Sequence, residues 1–251
     1  MTWSIVARDS DGTFGVAIAS RFFAVGALCI HTRRAIGALS TQALMNPLYG
    51  PAGIELLAAG TAPVEVVRRL TEADDGRAQR QLHVIAAEGA PAAHTGEHCV
   101  EWCGHQLHDD FSVAGNMLAG AEVLQATADA FVASAGRPLG ERLLAAMAAG
   151  EAAGGDKRGK QAAALRLHGD DEYPKLDLRV DDHPAPIDEL RRLYDKSFER
   201  FQPFVACLAS RRDPVGLLHR DQIEARVEAF LQARASLPTV PSAVVPEVIT
   251  K

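Results

Sequence analysis

Residues 2–20 read TWSIVARDSDGTFGVAIAS, and this stretch decides the fold. Two apolar runs, 5–7 and 14–19, flank the turn signal Asp9-Ser10-Asp11-Gly12, so we predict an antiparallel hairpin at the start of the chain. Thr2 heads its first strand. A threonine that becomes the first residue of a mature chain can attack a carbonyl with its Oγ while its α-amine takes the proton. The simpler interpretation is that Thr2 is an ordinary strand residue after a start methionine.

The length and composition are those of a globular protein with one large core, or with one domain and an appendage. The chain has 251 residues, of which 47% are hydrophobic, and a net charge of −6. A negative surface offers no general attraction for nucleic acid or an anionic membrane, and no apolar run approaches the roughly 20 residues of a membrane helix. The first residues lack the pattern of a secretion signal. We therefore expect a cytoplasmic protein with free thiols and no cofactor, whose partner is a small molecule.

The predicted elements come in pairs. A second hairpin is predicted to join residues 25–30 with 36–40, and two helices, about four strands, two helices and two strands follow. This order does not suit a doubly wound parallel sheet, in which single strands and single helices alternate. It predicts an α+β fold, a four-layer αββα sandwich of two antiparallel sheets over residues 1–185. A C-terminal helical segment is expected over 186–235 and a flexible, proline-containing tail over 236–251.

Several segments, taken together, resemble a known family. They read SIVARD (4–9), ASRFFAVG (19–26), STQAL (40–44), NPLYG (46–50), HTG (94–96), FSVAGNML (111–118), GGDKRGKQ (154–161) and LDLRVDD (176–182). In this order they resemble the bacterial domain-of-unknown-function 1028 family, which has an N-terminal-nucleophile (Ntn) hydrolase-like fold. The resemblance covers residues 2 to about 192 and implies the same αββα sandwich, but no established reaction. Some members carry a C-terminal segment suggested to bind peptidoglycan, and residues 186–235 occupy that position without a clear motif.

The Ntn hydrolase resemblance implies where a site would lie. In these enzymes the nucleophile heads the first strand, a basic residue near the end of the third lowers the amine pKa, and donors near the end of the fourth hold the oxyanion. By position, Thr2 is the nucleophile and Arg33 the basic residue. The third strand carries no lysine, and the second ends at Ser20-Arg21, where proteasome-like relatives carry an acidic residue. A fold that kept the cleft but lost or changed its chemistry therefore stays open.

Asn116 follows one strand and precedes a helix. Its amide can donate to an oxyanion or to a substrate, and an asparagine suits the N-cap of that helix equally well. We predict catalytic roles for Thr2, Arg33 and Asn116. Polar residues near the same strand ends and loops are predicted to bind the substrate: Ser20, Arg21, Thr41, Gln42, Asn46, Asp156 and Lys157. We expect one cleft to collect the following residues around Thr2: Ser20, Arg21, Arg33, Thr41 and Asn116.

The glycine-rich stretch at 154–161 nearly matches a phosphate-binding loop. Gln161 replaces the hydroxyl that should hold magnesium, and the stretch joins a helix to a strand rather than a strand to a helix. Both departures argue against nucleotide binding. We predict that Asp156 and Lys157 line the rim of the cleft, and a solvated turn is the alternative.

Histidines and cysteines crowd one short span. Zinc could take four of them, but their spacing matches no common zinc module. We therefore predict no metal site and interpret the span as histidine-rich loops with one or two buried cysteines. The residues are His94, His98, Cys99, Cys103, His105 and His108.

Two functions follow from these observations. The first is an Ntn-type amidohydrolase of a small amide, imide or ureido compound, in which Thr2 forms an acyl-enzyme that water hydrolyses. A carboxylate on that compound would be held by Arg21 or Arg33. The alternative is a non-catalytic protein that binds a ligand or cell-wall fragment in the same cleft. Only the first needs Met1 removed, because it needs the free amine of Thr2. Analogy with the fold predicts a homodimer.

Overall fold

A computed structural model of the protein describes residues 2–236. The chain divides into two compact units, of which the first ends at Lys196 and the second begins at Ser197. The boundary predicted after residue 185 lies before a helix, Pro186–Ser197, whose residues up to Lys196 are grouped with the first unit. The predicted tail, apart from Ser236, lies outside the described residues.

The first sheet is built around the hairpin at the start of the chain. In it, β1 (Thr2–Arg8) pairs antiparallel with β2 (Phe14–Ser20), as predicted. Every residue of β2 is buried, because helices cover one face of the sheet and a second sheet covers the other. Four later strands extend it: β7 (Gly104–Leu107), β8 (Phe111–Asn116), β9 (Ala162–His168) and β10 (Leu176–Val180). The strand order is β10-β9-β2-β1-β8-β7.

The second sheet is antiparallel and lies against the inner face of the first. Its strands, in spatial order, are β3 (Ile30–Arg33), β4 (Gly37–Ala43), β5 (Arg80–Ala86) and β6 (Ala92–Thr95). Val6 and Ile18 of the first sheet share a buried core with Ala38 and Ile85 of the second. Side chains alternate along a strand, so Thr2 and Ser4 share the inner face of β1 with Val6.

Pairs of helices cover the two outer faces. The helices α2 (Tyr49–Ala58) and α3 (Pro63–Glu72) pack on the second sheet, and α4 (Glu122–Ala133) and α5 (Leu139–Ala152) pack on the first. Gly15 allows α5 to approach β2 closely, since a Cβ there would lie 2.6 Å from Leu143 Cδ1. The layers therefore follow the order α-β-β-α, which confirms the predicted sandwich.

The prediction of a strand over residues 25–30 is wrong. Gly26–Cys29 is one helical turn, α1, and β3 begins only at Ile30. Gly26 lies against β9, where a Cβ would come within 2.3 Å of Ala164 Cβ. Short apolar runs fit a helix or a strand, so the pattern alone could not separate the two.

The second unit is helical within its described part. It contains α7 (Phe201–Val205) and α8 (Arg220–Ala235), whereas α6 (Pro186–Ser197) precedes them at the boundary. An ion pair joins Arg200 to Glu224 at 2.6 Å, and the Arg234 guanidinium lies 3.6 Å from the centre of the Phe198 ring.

Over residues 2–236, no helix has the length and apolar character needed to cross a membrane.

Candidate active site

The strand ends around Thr2 form one edge of the first sheet. β1 starts at Thr2, β2 ends at Ser20 on one side of it, and β8 ends on the other side at Asn116, which pairs with Thr2. Thr2 Oγ1 donates a hydrogen bond to Ser20 Oγ over 3.2 Å, and Asn116 Nδ2 donates to the Thr2 carbonyl over 3.5 Å. Thr2 is 5% exposed and Asn116 is 2% exposed. The structure therefore brings these three predicted site residues together in a nearly closed position.

Two glutamines of the second sheet fix the amide of Asn116. Asn116 Nδ2 donates to Gln81 Oε1 over 3.0 Å, and Gln42 Nε2 donates to the same oxygen over 2.8 Å. Gln81 Nε2 donates in turn to Thr95 Oγ1 and to the Gly115 carbonyl. Gln42, which we predicted, thus reaches the site through Gln81. Gln81 itself was missed.

A buried histidine lies one step deeper between the sheets. His83 Nε2 is 2.8 Å from Ser4 Oγ, and its Nδ1 is 2.8 Å from Ser112 Oγ. Because Ser4 Oγ donates its proton to Gln42 Oε1 over 2.7 Å, we assign the ring proton to Nε2 and the Ser112 hydroxyl as the donor to Nδ1. Burial, helped by the nearby charge of His105, lowers the pKa of His83 to about 3. The ring is therefore neutral at pH 7 and bridges the two sheets.

Asp156 holds the glycine-rich loop across the sheet edge. Its side chain is 2% exposed and accepts hydrogen bonds from the backbone N–H groups of Arg21 and Arg158, each over 2.8 Å. The Arg158 guanidinium pairs with the same carboxylate at 3.2 Å. A β-bridge between Leu118 and Asp156 joins the loop to the chain just beyond β8. The carboxylate we predicted to bind substrate is thus occupied in joining the ends of β2 and β8.

Arg21 and Lys157 lie on opposite sides of Thr2. Arg21 follows the last residue of β2 and donates from Nη1 to the Arg158 carbonyl. Lys157 follows Asp156 and donates from Nζ to the Glu101 carbonyl over 2.7 Å. Neither cation forms an ion pair with a carboxylate of residues 2–236. Each therefore keeps hydrogen-bond donors available beside the site.

Thr41 and Asn46 belong to a different cluster. Thr41 Oγ1 donates to the Asn46 carbonyl over 3.3 Å, and Asn46 Nδ2 donates to Asp74 Oδ2 over 3.1 Å. Tyr49 and Arg80 donate to the same carboxylate oxygen. Burial raises the pKa of Asp74, but these hydrogen bonds outweigh it and hold the pKa well below its usual range. Both predicted residues therefore stabilise the turn after β4, and neither contacts Thr2.

Arg33 lies at the opposite end of the sandwich from Thr2, so the structure does not support its predicted catalytic role. It pairs with Gly37 at the start of β4, whereas the Thr2 edge meets the far end of that seven-residue strand, roughly 20 Å away at the usual rise per residue. Gly37 also pairs with Ala86, whose carbonyl accepts a hydrogen bond from Arg8 at the far end of β1. Arg33 forms an exposed ion pair with Glu55 at 2.9 Å.

The histidines and cysteines of residues 94–108 make separate local contacts. His94 Nε2 is 2.8 Å from the Arg77 carbonyl, and His105 Nδ1 is 2.9 Å from Thr95 Oγ1. Burial, with a smaller effect of Cys103, raises the pKa of the Cys99 thiol to about 11. Within the described part of the chain, no three His, Cys, Asp or Glu side chains are grouped closely enough to hold a metal ion.

Two cavities lie beside the end of β2. A cavity of about 100 Å³ lies beneath the glycine-rich loop, and Trp3, Ser20 and Glu151 are among its lining residues. A larger cavity of about 290 Å³ lies at the ends of β9 and β10. Lys160 borders both and pairs through Nζ with Glu151 Oε2 at 2.7 Å. The larger cavity is lined by Arg21, Lys160, Gln161, Asp182, His183 and Pro184.

The backbone is unusual at two of the strand ends near this site. Ala43, the last residue of β4, has φ 69°, and Met117, the first residue after β8, has φ 54°. Residues with a side chain rarely adopt this left-handed conformation, and such positions concentrate at functional sites. Both positions lie at the Thr2 end of the sandwich, where β4 and β8 end.

The fold and the site together define an αββα sandwich with a threonine at the head of its first strand and a buried amide network behind it. A family model, "Family of unknown function (DUF1028)", matches residues 2–190. The chain belongs to this family, as the resemblance implied.

Solved structures also match the chain. The crystal structure of a DUF1028 protein from Silicibacter pomeroyi is 32% identical in sequence, with a TM-score of 0.80, and the match covers 87% of this chain and 96% of that chain. A second match is Anbu (ancestral beta-subunit) from Yersinia bercovieri, at 12% identity and a TM-score of 0.35, covering 96% and 100% of the two chains. Comparison with the curated proteins finds no match.

Proposed function

We propose that the protein is an N-terminal-nucleophile amidohydrolase that hydrolyses a small amide, imide or ureido compound. Thr2 is its nucleophile after removal of Met1. The observation that carries this proposal is the environment of Thr2 Oγ1, whose hydrogen-bond partner is the Ser20 hydroxyl. Over residues 2–236 no imidazole or carboxylate contacts Thr2 Oγ1, and both ring nitrogens of His83 are engaged by Ser4 and Ser112. A base for Thr2 is therefore best supplied by its own α-amine.

The reaction then proceeds through an ester. As Thr2 Oγ attacks the substrate carbonyl, its proton passes to the α-amine, and the carbonyl oxygen becomes an oxyanion. The same proton moves to the substrate nitrogen as the C–N bond breaks, leaving the acyl group on Oγ. Water, deprotonated by the amine, attacks this ester and releases the acid and the free hydroxyl. An α-amine has an ordinary pKa near 7.7. The positive charges of Arg21 and Lys157 would lower this pKa, so that more of the amine is unprotonated at neutral pH.

Asn116 is the candidate oxyanion donor. One Nδ2 hydrogen is held by Gln81 Oε1 at 3.0 Å, whereas the contact to the Thr2 carbonyl, at 3.5 Å, is at the limit of a hydrogen bond. The second hydrogen is therefore the one available to an oxyanion that develops beside Thr2. Gln81 acts as a positioning residue, because it fixes which way the Asn116 amide faces.

One observation favours the non-catalytic alternative. Thr2, Ser20 and Asn116 are each at most 5% exposed, so a substrate reaches Oγ only if the edge opens or if removal of Met1 frees space beside it. A protein that binds a ligand at the rim without turnover would need no such access.

Turnover by Thr2 variants separates the two functions. A panel of short amides, imides and ureido compounds would be incubated with protein whose first residue is verified by mass to be Thr2. The proposal predicts that Thr2→Ala abolishes any hydrolysis found, that Thr2→Ser keeps part of it, and that Thr61→Ala, in the loop between α2 and α3, leaves it unchanged. Hydrolysis that survives Thr2→Ala would contradict the proposal. If the wild type and all variants bind a ligand but hydrolyse none, the non-catalytic alternative is favoured.

A further inference from the structure

The two cations beside Thr2 differ from their basic neighbours in what they contact. Arg158 pairs with Asp156, and Lys160 pairs with Glu151. The side chains of Arg21 and Lys157, by contrast, donate only to backbone carbonyls within residues 2–236. A carbonyl orients a cation without neutralising it, so both keep a full positive charge at the edge that holds Thr2.

The strand order puts this charge close to the reacting position. β1 lies between β2 and β8, and neighbouring strands are roughly 4.8 Å apart. Arg21 directly follows β2, and the N–H of Lys157 is 3.5 Å from the carbonyl of Met117, which directly follows β8. The two side chains thus start about one strand to either side of Thr2. Since the whole chain carries a net charge of −6, this is a local cationic position on an acidic protein.

The larger cavity beside Arg21 supplies donors suited to a carboxylate. Arg21 uses Nη1 for the Arg158 carbonyl, which leaves Nε and Nη2 for a ligand. His183 Nδ1 accepts the N–H of Ala185 over 3.1 Å, which leaves Nε2 of this ring as the donor. A guanidinium matches the planar geometry of a carboxylate with two parallel hydrogen bonds.

One carboxylate also lines this cavity. Asp182 Oδ1 accepts a hydrogen bond from Gln161 Nε2 over 3.1 Å, and its Oδ2 is left as an acceptor. Such an acceptor suits the N–H groups of an amide or ureido ligand. The lining therefore offers Arg21 for a carboxylate and Asp182 for an N–H group within one volume of about 290 Å³.

We propose that the substrate is an amide or ureido derivative of a small carboxylic acid, and that Arg21 binds its carboxylate in this cavity. This inference rests on the proposed function, because only hydrolysis would make the bound acid derivative a substrate. It assigns the carboxylate to Arg21 rather than to Arg33, which lies at the other end of the sandwich. Lys157 adds attraction for the same anion from the opposite side of Thr2.

Binding measured without turnover tests the inference separately from the reaction. Titration calorimetry on Thr2→Ala protein would compare N-carbamoylglycine and N-carbamoyl-β-alanine with their neutral amides. We expect each acid to bind at least about 10-fold more tightly than its amide, as a charge-assisted pair implies. Arg21→Gln should remove this preference and leave the affinity for the amides unchanged. Arg34→Gln is the matched control, since Arg34 also donates to a backbone carbonyl, that of Asp170, but lies in the turn after β3 at the opposite end.

The outcomes distinguish the two proposals. Three outcomes would each overturn this inference. The acid and its amide could bind with equal affinity, or Arg21→Gln could leave the affinity for the acid intact. The third is that neither acid binds at about 10 mM, which corresponds to a binding free energy of less than about 3 kcal/mol. None of them would bear on whether Thr2 is the nucleophile, which is decided by turnover of the Thr2 variants. Conversely, an acid preference lost in Arg21→Gln, together with hydrolysis that survives Thr2→Ala, would uphold the carboxylate site and reject the proposed reaction.

Discussion

Basic side chains at the two ends of the sandwich have different hydrogen-bond and ion-pair partners. At the end away from Thr2, Arg8 pairs with Asp110 at 2.7 Å and Arg33 pairs with Glu55 at 2.9 Å. At the Thr2 end, the side chains of Arg21 and Lys157 donate to backbone carbonyls and form no ion pair within residues 2–236. Charges that the fold neutralises are explained by the fold, whereas charges left unneutralised beside a buried polar cluster indicate a ligand. Arg34, in the turn after β3, also donates to a backbone carbonyl, so the unpaired cations mark the Thr2 edge only together with the buried amide network behind Thr2.

The buried polar layer behind Thr2 should make the stability of the protein depend on pH. The pKa of His83 in the folded protein is about 3, below its ordinary 6.5, so between these values the unfolded chain binds more protons than the folded one. The contribution of neutral His83 to the free energy of unfolding is therefore fully present above pH 6.5. It falls as the pH drops below that value, by up to roughly 1.4 kcal/mol per pH unit. Thermal unfolding followed from pH 7 to pH 4 would measure this loss.

His83→Gln should flatten that dependence, because glutamine does not titrate. The exposed His98, replaced in His98→Gln, is the control and should keep the wild-type slope. A wild-type melting temperature that is constant from pH 7 to pH 4 would show that His83 is not held neutral between the sheets.

Gln81→Leu should give the next largest effect. The variant keeps a similar side-chain size but leaves Asn116 Nδ2, Gln42 Nε2 and the Gly115 carbonyl without their partner. Buried polar groups left unpaired cost roughly 2–4 kcal/mol in total, measured as the loss in the free energy of unfolding by urea denaturation. Gln106→Leu, which breaks a surface contact to Gln125 at 3.2 Å, should change it by less than about 0.5 kcal/mol. Equal effects of the two variants would mean that the amide layer is not a special feature of the Thr2 end.

Asp156→Asn tests how the glycine-rich loop is held. The amide can still accept one backbone N–H, but the ion pair with Arg158 and one charge-assisted hydrogen bond are lost. We expect a loss of about 1–2 kcal/mol in the free energy of unfolding and faster proteolytic cleavage within 154–161. Asp109→Asn, at an exposed position, should alter neither. Unchanged proteolysis of Asp156→Asn would contradict its role in tying down the loop.

Arg33→Gln should have the smallest effect. The Arg33 and Glu55 side chains are 48% and 74% exposed, and exposed ion pairs contribute less than about 1 kcal/mol. Hydrolysis and its pH dependence should match those of the wild type. If Arg33→Gln instead shifted the pH midpoint of the reaction, the assignment of the functional edge would be wrong.

Strand direction explains what the sequence could and could not predict about the site. Thr2, Ser20 and Asn116 were correctly grouped, because β1 starts and β2 and β8 end at the same edge. Arg33 ends β3, and β3 runs away from that edge since it is antiparallel to β4, whose last residue lies there. A position at the end of a strand predicts the site only when the direction of that strand is known.

Side-chain alternation explains the remaining differences. Gln81 and His83 alternate along β5 and share the face between the sheets, but periodicity alone does not say which face is inner. Thr41 and Gln42 are adjacent on β4, so only one of them can face the Thr2 network, and it is Gln42. The layers and helix pairs, by contrast, could be predicted from the order of the elements, because that prediction does not depend on which face of a strand is the inner one.

The most direct measurement is the site of covalent labelling on protein with a free or a blocked Thr2. One preparation would carry Thr2 as its verified first residue, and the other would keep Met1 or an uncut N-terminal extension. Both would be treated with an acylating amide-directed probe and mapped by peptide mass spectrometry. We expect an adduct on Thr2 of the first preparation only, together with hydrolysis in that preparation only. Full hydrolysis with Met1 intact, or an adduct on Ser4 or Ser20 in both preparations, would contradict it.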